Sequence, residues 1–377
     1  MAPSRSGILA AASTVVVKVG TNVLTNLEGV LDRGRVQSLA DQLHRLIRSG
    51  RRVVLVTSGA IGAGIGRLNL GKRPTDLPHL QACAAVGQSA LMQAYQESLT
   101  PYGIHAAQVL LTAGDFDHRT RCLNVRNTLR TLFEYSCLPI INENDTVSVA
   151  EIRFGDNDAL ASMVACLLRA PMLILLTNVD GLYSADPGVD PTATRVSTVE
   201  RIGREIAGMA GATKSRLGTG GMSSKLRAAR IASSAGVAVV MADGSVDGIV
   251  DRIFADEDVG TLFLPQVERT TSRKRWLGYM ARPKGHFKVN AGAEEAIRHK
   301  GRSLLPVGVV SVEGAFQRGD VVGLLDAEGQ EFARGLCNYS SVDADRLRGL
   351  NSEQIARVVG PMLYAELIHR DHLVVLE

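Results

Sequence analysis

The chain is poor in cysteine and lacks the residue spacings that mark structural metal sites. Only five cysteines occur in 377 residues, an odd number, and no two of them form a C-x-x-C pair. The eight histidines are scattered along the chain and do not cluster with the cysteines. A disulfide framework or a cysteine-ligated metal is therefore not expected, and the sequence predicts reduced, mostly buried thiols in a cytosolic protein.

The chain also lacks a long hydrophobic run and a strong excess of charge. Its longest apolar region, residues 160–177, is interrupted by Arg169 and Pro171, which predicts a helix followed by a strand. The apolar run at residues 8–12 passes directly into a predicted core strand, so a signal peptide is not expected. The net charge of +4 implies no general affinity for polyanions. We expect a cytoplasmic protein without membrane association.

Two common nucleotide-binding motifs are present only in incomplete form. Residues 66–73 nearly form a P-loop, but Arg73 stands where a Ser or Thr would reach Mg²⁺, and Pro74 follows it. The glycine-rich run at residues 59–66 does not contain the G-x-G-x-x-G spacing. The sequence therefore supports neither a P-loop NTPase nor a dinucleotide-binding protein.

Strand and helix patterns alternate from residue 14 to about residue 264. The predicted strands are runs of Val, Ile and Leu without polar alternation, which is typical of a parallel sheet covered by helices on both faces. Strands are expected at 15–19, 53–56, 104–111, 138–141, 172–176 and 237–241, and helices after the capping residue Asp32 and at 80–99, 120–134, 158–168 and 224–234. The expected fold class is α/β, a three-layer α/β/α sandwich around a mostly parallel central sheet.

The pattern changes after about residue 265. Residues 269–302 carry ten Lys or Arg against two Glu, whereas residues 303–377 carry six against eleven Asp or Glu. Short strand-like pieces at 307–312, 320–325, 331–336 and 372–376 predict a small, mostly β domain. We expect a first domain at residues 1–265, a basic linker at 266–282 and a second domain with a C-terminal tail at 283–377.

A glycine-rich loop at residues 218–225, GTGGMSSK, leads directly into a predicted helix. Glycines allow backbone N–H groups to approach an anion, the helix N-terminus adds partial positive charge, and Lys225 adds a full charge. An ordinary loop capped by Ser223 and Ser224 is the alternative. The loop on its own leaves the two interpretations equally supported.

Short polar side chains follow the predicted strands at one edge of the sheet. In open α/β sheets, ligands bind beyond the carboxyl ends of the strands. The polar segments are 18–22, 57–60, 142–145, 155–158 and 177–181. Turn and cap chemistry explains any single segment, but it is a weaker explanation for five segments at one edge beside a Gly-Lys loop.

Lys18 is the most unusual of these residues, because it stands near the end of a Val-rich strand. A lysine there is normally excluded unless its charge is paired or used, although a side chain that reaches out to solvent is an alternative. Two lysines from separate elements, Lys18 and Lys225, with no evident general base between them, favour phosphoryl transfer. That reaction depends mainly on positioning and on charge neutralisation.

At these segments the chain resembles the amino acid kinase superfamily and, within it, the glutamate 5-kinases. The resemblance rests on residues 17–22, 56–61, 141–145, 154–158 and 219–225 and extends over essentially the whole chain. The C-terminal domain is similar to the PUA domain that many bacterial members carry. The combination of motifs is specific, although no single motif is.

The resemblance implies ATP-dependent phosphorylation of the γ-carboxylate of L-glutamate, the first step of proline biosynthesis, with inhibition by proline. Lys18, Lys225 and Asp158 would be catalytic. ATP would contact Lys18, Thr177, Asn178, Thr219, Gly220, Gly221, Met222, Ser223, Ser224 and Lys225, and glutamate would contact Ser58, Gly59, Asn142, Asp145, Asp156 and Asn157. Mg²⁺ would be held mainly through the ATP phosphates, without a dedicated protein metal site. Members often have Asp where this chain has Asn178, so a charged contact is not expected there.

The resemblance also implies partners, and it leaves alternative functions open. A homo-oligomer is expected, and a transient contact with a glutamyl phosphate reductase is compatible with the lability of the product. A related kinase with another acceptor, such as acetylglutamate, aspartate, carbamate or UMP, is the nearest alternative. The basic residues 273–275 beside Trp276 suggest RNA binding by the PUA-like domain as another function. The acidic charge of residues 303–377 argues against this function.

Overall fold

The computed structural model describes residues 4–26, 28–147, 157–203, 206, 208–209, 221–266, 274, 276–351, 354 and 365–376. The chain divides into two compact units, residues 1–268 and 269–377. In the ranges just given, no helix is both long enough and apolar enough to cross a membrane. Helices and strands are numbered below in the order in which they occur in these ranges.

The first unit is built on an eight-stranded sheet with the order β3-β4-β2-β1-β5-β9-β10-β8. Its strands, with a separate two-stranded ribbon of β6 and β7, are β1 Thr14–Val19, β2 Arg52–Thr57, β3 His105–Leu111, β4 Cys137–Glu143, β5 Met172–Thr177, β6 Leu182–Tyr183, β7 Arg195–Val196, β8 Thr198–Val199, β9 Ala238–Asp243 and β10 Thr261–Phe263. The six strands from β3 to β9 in that order are parallel, and β10 runs antiparallel to β9. The mostly parallel sheet is as expected.

Helices cover both faces of this sheet. They are α1 Arg5–Ala10, α2 Thr21–Leu24, α3 Arg33–Arg48, α4 Ala60–Arg67, α5 Leu77–Leu99, α6 Gly114–Asp117, α7 Arg119–Glu134, α8 Asn157–Leu168, α9 Met222–Ser234 and α10 Ile249–Phe254. Alternate side chains of the strands pack with α3, α5 and α10 into one large core, while α8 and α9 pack together and α8 contacts β1. The expected three-layer α/β/α sandwich is confirmed.

Strand β1 lies at the centre of the sheet, between β2 and β5. Successive residues of a strand point to opposite faces. Val15, Val17 and Val19 enter the core with α3 and α5, and Lys18 therefore points to the face that α8 covers. The chain continues from β1 to β2 on one side and reaches β5 on the other, so β1 lies where the strand order reverses. That position is the usual ligand site of an open α/β sheet.

The glycine-rich run at residues 59–66 forms α4, and its glycines allow close helix packing. A Cβ on Gly64 would overlap the backbone of Cys83 in α5, and a Cβ on Gly87 would overlap the backbone of Ala60 in α4. Helices α4 and α5 therefore approach each other to backbone contact. The run that resembles a dinucleotide motif in composition thus has a packing role.

Replacing Gly87 by alanine is expected to destabilise the first unit by about 3 kcal/mol, because the added methyl meets rigid backbone. Urea denaturation measures this change. Gly71→Ala is the matched control, since a Cβ there has no neighbour within 4 Å, and it should change stability by less than about 0.5 kcal/mol. Equal stability of the two variants would contradict the close approach of α4 and α5.

Most predicted boundaries in the first unit agree with the structure to within a few residues. Asp32 caps α3, as predicted, by accepting hydrogen bonds from the backbone of Gly34 and Arg35. Helix α9 begins at Met222 rather than at Ser224, and β4 continues through Glu143, beyond the predicted end at residue 141. No disulfide joins the five cysteines, of which four are buried; all five lie in the ranges that the structure describes.

The second unit contains a five-stranded sheet with the order β12-β11-β13-β14-β15. Its elements are β11 Gly285–Val289, α11 Ala291–Lys300, β12 Val309–Gly314, β13 Val321–Leu325, β14 Glu331–Leu336, α12 Ser341–Leu347 and β15 Leu373–Val375. Its buried core includes Phe287, Phe316 and Phe332. Gly278 and Ala281 lie in the expected linker, and their carbonyls accept hydrogen bonds from Arg334. These two residues are therefore packed within the second unit. The mostly β architecture is as expected, while β11 and both helices were not predicted.

Candidate active site

Three charged side chains meet at the carboxyl edge of the central strands, and we call Lys18, Asp158 and Lys225 the ionic triad. Lys18 forms an ion pair with Oδ1 of Asp158, and Nζ of Lys225 lies 3.1 Å from Oδ2. The three residues are 3%, 1% and 9% exposed, respectively. Two buried cations share one buried anion, so the triad keeps one net positive charge. Buried charge of this kind is costly and typical of functional sites.

Each member of the triad comes from a different element of the fold. Lys18 is the next-to-last residue of β1, Asp158 lies in the first turn of α8, and Lys225 lies near the start of α9. A carboxylate in the first turn of a helix is favoured by the helix dipole. The packing of α8 on α9 and of α8 on β1 brings the three side chains together.

The first turn of α9 forms one side of the site. Gly221 caps this helix without a side-chain hydrogen bond, and Ser224 Oγ donates to the Gly221 carbonyl at 2.9 Å. Met222 and Ser223 precede Ser224 in this turn. The N–H groups of a first helical turn lack intrahelical acceptors, which makes this turn suitable for an anion. The predicted ATP contacts Thr219 and Gly220 lie outside the described residues.

Two further predicted ATP contacts lie at the end of β5, next to β1. Thr177 is the buried last residue of β5, and its hydroxyl lies 3.3 Å from Oδ1 of Asn178. Asn178 is exposed. Because its amide is neutral, this side chain requires no compensating charge. The Thr177 carbonyl accepts a hydrogen bond from Gly244, which follows β9.

The predicted substrate residues Ser58, Asn142 and Asn157 are in direct contact. Asn157 Nδ2 lies 2.9 Å from Ser58 Oγ and 3.1 Å from Asn142 Oδ1. These residues come from the end of β2, the end of β4 and the start of α8. We call Ser58, Asn142 and Asn157 the amide cluster. Because Asn157 directly precedes Asp158, the amide cluster is joined to the ionic triad by one peptide bond.

The remaining predicted substrate residues are Gly59, Asp145 and Asp156. Gly59 caps α4 with a φ of 103°, a left-handed conformation that favours glycine. Asp145 lies two residues after the end of β4 and is half-buried. Asp156 lies outside the described residues, so the structure gives no position for it.

Sequence reasoning missed Gln88 and Tyr95, which support the amide cluster, and it included Thr57 only as part of the polar segment 57–60. Gln88 Oε1 accepts a hydrogen bond of 2.9 Å from Asn142 Nδ2. The hydroxyls of Thr57 and Tyr95 lie 2.8 Å apart in the core beneath Ser58. Burial raises the pKa of Tyr95 well above its ordinary value, against a smaller lowering by the Thr57 hydrogen bond, so this phenol stays neutral. A glutamine or tyrosine within a helix carries no sequence signal for such a role.

The described residues contain no cluster of three or more His, Cys, Asp or Glu side chains that could hold a metal ion. Both carboxylate oxygens of Asp158 face lysine ammonium groups, which makes this carboxylate a poor cation ligand.

The second unit has a separate cavity of about 670 Å³. It lies between α11 and the segments that follow residues 301 and 365, and its lining includes the basic residues Arg302, His369 and Arg370 as well as Glu366. This cavity belongs to the C-terminal unit alone.

Comparison with known proteins places the two units of the chain in known families. The model of the amino acid kinase family matches residues 13–243, and that of the PUA domain matches residues 285–359. A protein of Moorella thermoacetica named glutamate 5-kinase is 45% identical over 98% of this chain and 97% of its own length. One of Pelobacter propionicus with the same name is 47% identical over 96% and 97%. The chain belongs to the glutamate 5-kinase branch of the amino acid kinase family.

Structural similarity supports the fold of this family. The carbamate kinase of Giardia lamblia, solved with AMP-PNP, superposes with a TM-score of 0.50 at 17% identity, covering 68% of this chain and all of that one. At this identity the match concerns the fold alone. The resemblance to amino acid kinases and to the PUA domain, drawn from the motifs, is confirmed, and the glutamate 5-kinase-like chain is a kinase.

Proposed function

We propose that this chain transfers the γ-phosphoryl group of MgATP to the γ-carboxylate of L-glutamate, giving L-glutamyl 5-phosphate and ADP. The observation that carries this proposal is the ionic triad, one peptide bond from a cluster of three predicted substrate residues. The glutamate 5-kinases that match nearly the whole chain support the choice of acceptor.

In this mechanism the two lysines act on the moving phosphoryl group. Negative charge on its oxygens is neutralised by the ammonium groups of Lys18 and Lys225, which approach from β1 and α9. Asp158 holds both ammonium groups in place, and its two oxygens are occupied by them. Phosphoryl transfer depends largely on such positioning and electrostatic stabilisation.

The acceptor needs no protein base. A γ-carboxylate is already ionised at neutral pH and is an adequate nucleophile. The attacking carboxylate oxygen forms a bond to the γ-phosphorus, and the bond from that phosphorus to the bridging oxygen breaks, leaving ADP. This agrees with a site whose central carboxylate, Asp158, is committed to two lysines.

ATP and glutamate occupy neighbouring parts of the site in this proposal. The first turn of α9, together with Thr177, Asn178 and the segment 219–220, binds the nucleotide. Ser58, Gly59, Asn142 and Asn157 bind glutamate with Asp145 and Asp156, and the Asp145 carboxylate pairs with the α-ammonium group. Such a pair would select an amino acid over a simple dicarboxylate. Mg²⁺ enters with the ATP phosphates and keeps several waters.

The proposal extends to the physiological setting. The reaction is the first step of proline biosynthesis in the cytoplasm, and proline inhibits it by competing around the glutamate site. The enzyme forms homo-oligomers, and the labile product is passed on in a transient contact with a glutamyl phosphate reductase. The similarity to glutamate 5-kinases is what supports these proposals. A glutamate KM that millimolar proline leaves unchanged would refute the competition.

A panel of acceptors tests the proposed reaction. ADP release from MgATP is measured with L-glutamate, aspartate, N-acetylglutamate or UMP, and hydroxylamine is present to trap an acyl phosphate as the hydroxamate. We expect turnover and hydroxamate with glutamate and less than about 1% of that rate with the others, since a misfit at buried polar groups costs several kcal/mol. Turnover with another acceptor alone would keep the fold and the triad but reject glutamate as substrate.

RNA binding is a second candidate function, for the C-terminal unit. The PUA match and the cavity with Arg302, His369 and Arg370 favour it. The excess of acidic residues in 303–377 opposes a broad phosphate contact, and it leaves a structural or regulatory role as the preferred proposal. RNA binding would also give the ionic triad of the first unit no task.

A further inference from the structure

The side chains of Gln88, Asn142 and Asn157 form a chain of hydrogen bonds, which we call the amide relay. Asn157 Nδ2 lies 3.0 Å from the backbone carbonyl oxygen of Thr57. A carbonyl oxygen can only accept, so the atom of Asn157 that faces it must be the NH₂ group. The orientation of the first amide is therefore fixed by the backbone, and its Oδ1 points elsewhere.

The second and third amides are fixed in the same way. Asn142 Oδ1 accepts from the backbone N–H of Glu143 at 2.9 Å, as well as from Asn157 Nδ2. Its NH₂ group is therefore the one that faces Gln88, at 2.9 Å from Oε1. Gln88 consequently turns its NH₂ group away from Asn142. Two backbone groups therefore fix the orientation of both asparagine amides.

The amide relay ends in one unsatisfied donor and one unsatisfied acceptor. Within the described residues, Gln88 Nε2 and Asn157 Oδ1 are buried and have no hydrogen-bond partner. An unpaired buried polar group destabilises a fold, and buried polar groups are normally paired. A ligand that offers an acceptor and a donor would satisfy both groups. The head group of an amino acid offers a carboxylate and an ammonium group.

The position of Gln88 is rigid with respect to the rest of the site. It follows Gly87, at which α5 meets the backbone of α4, and α4 begins directly after Ser58 and Gly59. A displacement of Gln88 would therefore disturb the packing of two helices. A side chain held in this way is suited to discriminate between ligands.

We propose that Gln88 determines substrate specificity by donating a hydrogen bond from Nε2 to the α-carboxylate of the acceptor amino acid. Asn157 Oδ1, at the other end of the amide relay, accepts from the α-ammonium group. This inference rests on the proposed function and assigns a residue to the α-carboxylate, whereas Asp145 is assigned only to the ammonium group. The donor makes the site select for an acceptor atom at that position.

The test compares Gln88→Glu with the wild-type enzyme on two substrates. Glutamate has an α-carboxylate, whereas isoglutamine has an α-carboxamide and keeps the γ-carboxylate. A glutamate side chain at position 88 still accepts from Asn142 but no longer donates, and its charge repels the α-carboxylate. We expect the KM for glutamate to rise at least about tenfold, with the KM for ATP unchanged. The preference for glutamate over isoglutamine in kcat/KM should fall at least about tenfold.

Two further variants separate binding from positioning. Gln88→Met removes both hydrogen bonds, and Gln93→Glu changes an exposed glutamine on the same helix that pairs with Glu97. We expect Q93E to match the wild type. A wild-type preference ratio in Q88E together with a damaged Q88M would mean that Gln88 only holds Asn142 in place, which would overturn the inference.

The inference can also be tested on the wild-type enzyme, without relying on the folding of a variant. The wild-type enzyme should itself prefer glutamate to isoglutamine by at least about tenfold, and equal use of the two would overturn the inference. Absence of hydroxamate from the wild type with glutamate would instead overturn the proposed function and the inference with it. Normal wild-type turnover with an unchanged Q88E preference would overturn the inference alone.

Discussion

Lys225→Ala is expected to lower kcat for glutamate phosphorylation by about 10³-fold, because it removes one of two ammonium groups at the moving phosphoryl group. The change should also remove the contact of Lys225 with Oδ2 of Asp158, while the ion pair of Asp158 with Lys18 is kept. Steady-state ADP release and hydroxamate formation measure the loss. The KM for glutamate should change little, because Lys225 approaches from α9 and the amide cluster lies at the ends of β2 and β4.

Lys72→Ala is the control for this prediction. Lys72 is an exposed lysine in the incomplete P-loop at residues 66–73. Its replacement tests whether the loss of any lysine lowers activity, and also whether the incomplete P-loop contributes to activity. We expect activity within about twofold of the wild type, as for most surface substitutions. Equal damage by K72A, or wild-type kcat in K225A, would contradict the assignment of the ionic triad.

Asp158→Asn is expected to lower both activity and stability, because it leaves two buried ammonium groups without their shared anion. Removing one partner of a buried ion pair typically costs about 3–5 kcal/mol of unfolding free energy. The two lysines would also repel each other and lose their orientation, so kcat should fall by about 10²-fold. Urea denaturation and steady-state kinetics measure the two effects.

Bound MgATP should recover part of the lost stability of D158N, since the phosphates supply the missing negative charge. Asp371→Asn is the matched control, because Asp371 is an exposed carboxylate that forms an ion pair with Arg370 at 4.0 Å. Exposed pairs of this kind contribute about 0–1 kcal/mol. If D158N were as stable and as active as D371N, the triad would have no electrostatic role.

From the sequence it was easier to predict that polar residues gather at one edge of the sheet than to predict the role of any single residue. Lys18 stood out because a lysine in a Val-rich central strand requires a partner, and the structure provides Asp158 as that partner. Ser58 follows β2, Asn142 lies near the end of β4 and Asn157 begins α8. They were grouped because parallel strands end at one edge. Their contacts confirm the grouping, while their roles toward glutamate stay predictions.

Other features could not be predicted because they depend on packing between distant segments. Gln88 lies in the middle of α5, where a glutamine normally marks the solvent side of a helix. Only the approach of α5 to β4 brings it to Asn142. Similarly, the glycines of α4 have a role only when α5 is in contact with them. In the second unit, α11 lacked a strong apolar pattern, since Ile297 is its only fully buried residue.

The transfer of oxygen from substrate to phosphate tests the central claim most directly. Glutamate labelled with ¹⁸O at both γ-carboxylate oxygens is turned over with unlabelled MgATP. The free acyl phosphate then cyclises: its α-amine attacks the carbonyl carbon of the γ-acyl phosphate, the bond from that carbon to the bridging oxygen breaks, and phosphate leaves with the bridging oxygen. The account predicts one ¹⁸O atom in each released phosphate, read by mass spectrometry or by the ³¹P isotope shift. Unlabelled phosphate formed in step with ADP would show that water is the acceptor, and it would contradict the proposed reaction.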